Sequence, residues 1–222
     1  MATRLGPDHE ISWHTRLFVR RHIVPAGRRA LRPETCVFNA VPACAEMDAK
    51  RAAALKGLPC NLRINDNRLV DQYEFIADRI PNDRLDRAAT AIRILMEDGV
   101  PATQGSADHE EMLFKIEGFT SYGDQLIVEE AMLLILNGQP FVGEFMICDN
   151  YLELQPGEIY KFDPVNLIYG PPRGHMVLFV GYGVRNGEFY LVFLDSNGEG
   201  FCEDGFGRVS FGDVYNIFSI HT

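Results

Sequence analysis

The sequence predicts an α+β protein with segregated halves, and three observations carry that prediction. The first half places its apolar residues at helical spacing. Beyond residue 140 the period shortens to that of strands rich in Val, Phe, Tyr and Leu. Between two of those strands stands Asn186-Gly187, a strong hairpin signal. Two halves of different make-up meet at a seam, and such a seam is a natural cleft.

The elements follow in order. Thr35 to Leu55, TCVFNAVPACAEMDAKRAAAL, sets Val37, Ala40, Val41, Cys44 and Asp48 at helical spacing and closes before Gly57 and Pro59. Pro42 lies inside it, where proline costs about 3 kcal/mol unless the helix kinks or starts later. Asn67 to Asp78 and Asp83 to Asp98 read as two more helices, the second stopped by Gly99 and Pro101. Asp124 to Asn137, DQLIVEEAMLLILN, is amphipathic and ends at Gly138 and Pro140. Phe141 to Ile147, Gly174 to Gly183, Glu188 to Asp195 and Gly207 to Ser210 read as strands. No repeat or low-complexity linker interrupts the 222 residues, which are enough for one large core or two intimate halves.

Composition narrows the function classes. Hydrophobic content of 46% and charged content of 23% fit a folded globular chain rather than a disordered one. No apolar run reaches membrane-spanning length, so no membrane partner is expected. MATRLGPDHE has no apolar signal region and already carries acids. Cysteines at 36, 44, 60, 148 and 202 form an odd set without a CxxC pair or a disulfide framework, which fits free thiols. Together these predict a cytoplasmic protein. A net charge of −10 argues against a general nucleic-acid binder. Arg16, Arg20, Arg21, Arg28, Arg29 and Arg32 nonetheless form a run free of acids. A solvated arm on an acidic body is the commoner meaning of such a run, and a phosphate or nucleic-acid patch the other. No metal or organic-cofactor motif is present, and neither is expected.

Candidate chemistry starts at GHMVLFVGYG, Gly174 to Gly183, where His175 heads an apolar strand. It reads either as a satisfied core histidine or as a cleft base. A two-residue turn at Asn186-Gly187 would set Asp195 opposite Leu178, three residues out of step with His175 and roughly 10 Å away. A three-residue loop, or a bulge that Gly181 and Gly183 would tolerate, would shorten that gap. Asp195 beside His175 would orient the ring and favour its charged form; otherwise it starts an Asx turn into SNGEG. Cys36 opens a helix, where the partial positive charge of the N-terminus lowers a thiol's pKa. Cys44, on the same helix, reads as an inert buried thiol, and Cys60, Cys148 and Cys202 have no comparable setting.

Along nearly its whole length the chain resembles the mature domain of papain-like cysteine peptidases. GHMVLFVGYG is similar to the family's histidine strand. YLVFLDSNGEGFCEDGF, Tyr190 to Phe206, follows the spacing of its Asn-Ser-Trp-Gly motif. LRINDNRLVDQ resembles its Leu-Ser-Glu-Gln-x-Leu-Val-Asp-Cys element, GQPFVGEFMI the strand after its second long helix, and Gly157-Glu158-Ile159-Tyr160 its Gly-Ile-Tyr turn. Ile11-Ser12-Trp13 resembles the start of mature domains, and TCVFNAVPACAE stands where the family has Ser-Cys-Trp-Ala-Phe-Ser, with Glu46 ten residues past Cys36. The resemblance implies a papain-like two-lobed fold, a helical lobe over about 12–122 and a β-rich, barrel-like lobe over about 123–222, with a cleft between them. It implies Cys36 as nucleophile, His175 as base and Asp195 in the place of the asparagine that holds the imidazole. The activity it implies is hydrolysis of a peptide or protein substrate through an acyl-thioester.

Departures from the family pattern are concentrated at the site. The oxyanion glutamine, six residues before the cysteine, is Ala30, and losing one such donor costs about 2.7–4 kcal/mol of barrier. Arg29 or Arg32 could substitute a donor. Val37 and Asn197 replace two tryptophans, the second of them the shield over the histidine's partner. YEFIADRIPNDRLD stands in place of the glycine-rich substrate shelf, and the disulfide cysteines are missing. Two readings follow: an active thiol peptidase, or a catalytically impaired pseudo-peptidase that binds or regulates.

Overall fold

The structure, a computed structural model, describes residues 7–27, 29, 30, 32, 34–80, 86–105, 111–164 and 171–222. Its first long element is helix α1, Cys36–Leu55. Helix α2 is Asp66–Ala77 and begins where the Asn65 side chain accepts the Arg68 N–H, a standard N-cap. Helix α3, Arg87–Arg93, begins later than the periodicity predicts, because Asp86 caps it through the Ala89 N–H. Residues 83–85 of that predicted helix lie outside the described residues. Its C-terminal turn, Ile94–Asp98, widens to π-helical spacing before Gly99 at φ 80°. Helix α4, Val128–Leu136, is shorter than the stretch from Asp124: the Ile127 N–H is capped by Glu130, and Asp124 instead accepts the Asn216 N–H.

Pro42 was expected to kink α1 or delay its start, yet the helix begins at Cys36 and contains the proline. The missing N–H leaves the Phe38 carbonyl without its helical donor. Burial of every residue from Val37 to Asp48 offsets that loss. Far from a one-sided surface helix, α1 is the spine of the core.

The strands are β1 His9–Ser12, β2 Leu62–Ile64, β3 Val100–Gln104, β4 Met112–Phe114, β5 Gly118–Gly123, β6 Phe141–Ile147, β7 Arg173–Arg185, β8 Glu188–Leu194, β9 Phe206–Ser210 and β10 Tyr215–His221. Of these, β6 to β9 agree with the sequence reading. Pro101, expected to stop a helix, sits within β3 opposite Leu113. β2, β3 and β4 form a small antiparallel sheet. The others form an open sheet in the order β5-β10-β6-β7-β8-β9, with β1 continuing the line of β6 along β7. Among the described residues no pairing joins β5 to β9, so this sheet is not a closed barrel.

Two cores lie on its two faces. Met176, Leu178 and Val180 of β7 and Tyr190, Val192 and Leu194 of β8 pack towards α1, α2 and α3. Val177, Phe179, Leu191 and Phe193 face an aromatic core with Phe145, Tyr151 and Tyr160, closed by Ala131 and Ile135 of α4. Past Val180 the β7 alternation inverts, for Tyr182 and Val184 face the aromatic side.

That inversion is a β-bulge. The hairpin runs Arg185↔Glu188 to Gly181↔Val192, then resumes as Phe179↔Phe193 and Leu178↔Leu194, leaving Val180 unpaired. In a regular ladder Asp195 would fall opposite Leu178, on the helix-facing side. With the extra residue, the ladder's continuation sets Asp195 opposite Val177, two residues from His175 and on the same face. Gly183 serves the same crossing of chains, since a Cβ there would lie 2.3 Å from the Tyr190 ring.

Candidate active site

Cys36 is the first residue of α1 and is partly exposed. In the first helical turn the main-chain N–H groups have no carbonyl four residues back, so they are free to point at a thiolate. The Val37 N–H does so at Cys36, joined by the Met176 N–H of β7. His175, on β7, is buried at 6% exposure and makes a hydrogen bond with the Cys36 thiol. Its Nε2 lies 2.7 Å from Asp195 Oδ2, which leaves Nδ1 to face the sulfur. Thus the structure brings all three sequence-selected residues together, with α1 supplying the sulfur, β7 the ring and the end of β8 the carboxylate.

Electrostatics follow from that packing. Burial pushes the Cys36 thiol up, but the hydrogen bond and charge of His175, with the Met176 and Val37 N–H groups, outweigh it and hold the thiol below its ordinary value. Burial pushes His175 down. Hydrogen bonds and charge from Asp195 and Cys36 outweigh that burial, and the imidazole rises to about 9. Asp195 is 2% exposed, which alone would raise its pKa; bonds from His175, Tyr151 and the Asn197 N–H hold it low instead. These directions all favour a thiolate–imidazolium pair backed by a carboxylate.

Tyr151 is the residue that sequence reasoning missed. It lies in a 3₁₀ turn, Asp149–Glu153, fully buried, and its hydroxyl donates to Asp195 Oδ2 at 2.5 Å. Burial and the Asp195 charge push its own pKa up, so it stays a donor. Its ring also packs against the imidazole, at 5.2 Å between centroids, while Phe145 stands edge-on at 5.8 Å. DNYLE has no period or spacing that points 44 residues ahead to Asp195. The Asn197 N–H donates to Asp195 Oδ1 at 2.6 Å. Asp195 therefore forms an Asx-type turn and holds the histidine at once, so its two sequence readings are both true.

The pair opens onto a cleft of about 740 Å³, bordered by Thr35, Cys36, Cys148, His175, Ser196 and Asn197 among others. Cys148 is a second thiol at that wall, buried, with its N–H donated to the Tyr160 hydroxyl. Cys44 is fully buried, and burial raises its thiol.

No family model matches the chain. Solved structures do. A structure bearing on the mite allergens Blo t 1 and Der p 1 aligns over 100% of this chain and 73% of its own, with a TM-score of 0.67 at 17% identity. A digestive procathepsin L2 from the larval midgut of Tenebrio molitor aligns over 100% and 70%, with a TM-score of 0.66 at 16% identity. A procathepsin B from Trypanosoma congolense aligns over 90% and 73%, with a TM-score of 0.64 at 14% identity. The fold is papain-like.

Against that papain-like frame the departures acquire positions. Ala30 does not face the pair with a side-chain donor; its N–H donates to the Ser196 carbonyl at 2.8 Å, while Arg29 forms a β-bridge with Asn197. The segment is thus a main-chain strap over the turn that follows Asp195. Arg32 is held by Asp71 at 2.8 Å and Glu74 at 3.0 Å. Arg29 lines the cleft. Arg28 lies outside the described residues. With Asn197 at the position of that tryptophan, Asp195 is held instead by the buried Tyr151 hydroxyl. Glu46, buried in α1, accepts the Ile64 N–H at 2.5 Å and so ties the small sheet to the Cys36 helix.

Proposed function

We propose that the chain is a cysteine-type peptidase that hydrolyses peptide bonds through Cys36 and His175. The observation that supports it is the hydrogen-bonded series Cys36–His175–Asp195 at the wall of an open cleft. The Cys36 thiolate attacks the scissile carbonyl carbon, and the C=O electron pair moves to oxygen. On collapse the C–N bond breaks, His175 gives its proton to the leaving amine, and an acyl-thioester remains. Neutral His175 then takes a proton from water, whose oxygen attacks the thioester, and the thiolate leaves. Asp195 holds the ring and favours the imidazolium. The Cys36 N–H, at the start of α1, would supply a main-chain donor to the developing oxyanion.

The test is covalent labelling by a peptidyl chloromethyl ketone, with the adduct located by mass spectrometry and Cys36→Ser and His175→Ala as controls. Labelling confined to Cys36 and dependent on His175 is the expected result. Labelling no faster than at Cys148 or Cys202 would sink it.

A second reading is favoured by one observation. Ala30 brings no side-chain donor to the glutamine position, and its N–H is already engaged by Ser196. Under that reading the cleft binds peptides without cutting them. Binding by Cys36→Ser protein, with no turnover by wild type, would identify it.

A further inference from the structure

Four arginines border the cleft around the Cys36–His175 pair: Arg29, Arg32, Arg87 and Arg173. Among the described residues its lining holds a single carboxylate, Glu34. The protein as a whole carries a net charge of −10, and four carboxylates, Glu34, Asp71, Glu74 and Asp149, lie against three of these arginines. The positive charge left open to a ligand is therefore that of Arg29, and a concave site concentrates its field on an anion that enters.

Three of the guanidinium groups have exposed carboxylate partners. Arg32 meets Asp71 and Glu74, Arg87 meets Glu34 at 3.1 Å, and Arg173 meets Asp149 at 3.1 Å. Surface pairs of this kind contribute little and exchange readily for another carboxylate. Arg29 differs. It is exposed, and no carboxylate partner is found for it among the described residues. Its backbone bridges Asn197, two residues from Asp195, and a Cβ on Gly198 would meet the Arg29 Cβ at 3.3 Å. The root of the side chain is therefore fixed beside the reacting groups while its planar head is open to solvent. Arg29 also lines an adjoining groove of about 620 Å³, shared with Leu152, Gly198 and Glu199. A guanidinium so placed matches a carboxylate with two parallel hydrogen bonds, and a fixed root lowers the ordering cost of making them.

We infer that the cleft selects peptides bearing a carboxylate beside the scissile bond, with Arg29 as the group that reads it. The inference rests on the peptidase reading for the term scissile, but the selection itself is a property of binding. Two sources supply this chemistry, an Asp or Glu side chain and the C-terminal carboxylate of a short leaving peptide.

The experiment uses internally quenched peptides identical except for Glu, Gln or Lys at single positions on either side of one cleaved bond. A second pair carries a free or an amidated C-terminus two residues beyond that bond. The expected result is a kcat/KM about fivefold higher for Glu than for Gln at one position or more, the upper end for an exposed ion pair, with Lys poorest. That preference shrinks at high salt and falls towards one in Arg29→Glu. Preference for the free over the amidated terminus, without a Glu preference, assigns the reader to the C-terminal carboxylate. Equal turnover of Glu, Gln and Lys peptides together with no terminus preference overturns the inference, as does a preference untouched by Arg29→Glu. Fluorescence anisotropy of the same peptides on full-length Cys36→Ser protein separates the two ideas. Acidic-peptide binding that depends on Arg29, in a protein whose wild type cleaves nothing, removes the peptidase reading and leaves the carboxylate reading standing. Turnover without acidic preference does the reverse.

Discussion

Asp195 sets the working range of His175. Burial lowers the imidazole, but the hydrogen bonds and charges of Asp195 and Cys36 outweigh it and raise it to about 9, so the imidazolium persists well above neutrality and is lost as pH rises through that value. The lower edge of the range lies where Cys36 ionises, below an ordinary thiol. Under the proposed peptidase function, hydrolysis is expected to fall above about pH 9, where His175 would no longer give a proton to the leaving amine. Alkylation of Cys36 by a neutral reagent such as iodoacetamide needs only the thiolate and should not fall there. A profile in which both decline together would contradict this division of labour. Asn in place of Asp195 keeps a partner of similar shape and removes the charge, so Asp195→Asn should move the alkaline limb of kcat/KM down by about one pH unit or more. Tyr151→Phe strips one of three donors from a buried carboxylate and should cost about 1–3 kcal/mol in denaturant unfolding. Cys36 and His175 were legible as residues because Cys36 begins a helix and His175 stands near the head of an apolar strand, each with a clear local pattern. Tyr151 was not, since a buried hydroxyl finds its acceptor only when the turn between β6 and β7 folds over Asp195.

Elements decide which face a residue occupies. The unpaired Val180 brings Asp195 to the face of His175, and the close crossing after it demands small residues. Gly183→Ala would drive a methyl into the Tyr190 ring and should destabilise by about 1–3 kcal/mol, read as a lowered Tm. In the background of Tyr190→Ala the same change should cost less, with a remainder from the His9 carbonyl oxygen, which the new methyl would still meet at 2.8 Å. Additive losses in that double-mutant cycle would place the strain elsewhere. From sequence, the bulge was visible as a tolerance supplied by glycine, and its position was not. Helix boundaries moved for a comparable reason: Asp86 and Glu130 cap at points that periodicity alone passes over.

At the scale of the whole molecule, the N-terminal strand is tied across the sheet by charge. Glu10 of β1 receives Arg208 of β9 at 2.6 and 2.9 Å, and the Tyr190 hydroxyl at 2.8 Å. Arg208 is buried, so removing it strands a partly buried carboxylate, and Arg208→Ala should cost about 3 kcal/mol. Burial raises the Glu10 pKa, but the bonds from Arg208 and Tyr190 and the Arg208 charge outweigh it and leave the group depressed. Its contribution is therefore present above the ordinary carboxylate range and lost as pH falls through the lowered value. Glu10→Gln should flatten part of the acid limb of unfolding stability. A wild-type acid limb that survives the substitution unchanged would assign it to other carboxylates.

By itself the sequence determined the four helices and the strands β6 to β9 in their order, and the placing of a thiol at a helix start and an imidazole at a strand head. Each of these is a local pattern, written in spacing, caps and turn residues. Only the tertiary structure decided that the strap through Ala30 closes over Ser196, that Arg29 stands at the cleft, and that Tyr151 supports Asp195. β1, β5 and β10 likewise became strands only through partners far along the chain. Contacts of that length depend on which surfaces the core brings together, and no short window of residues contains that information.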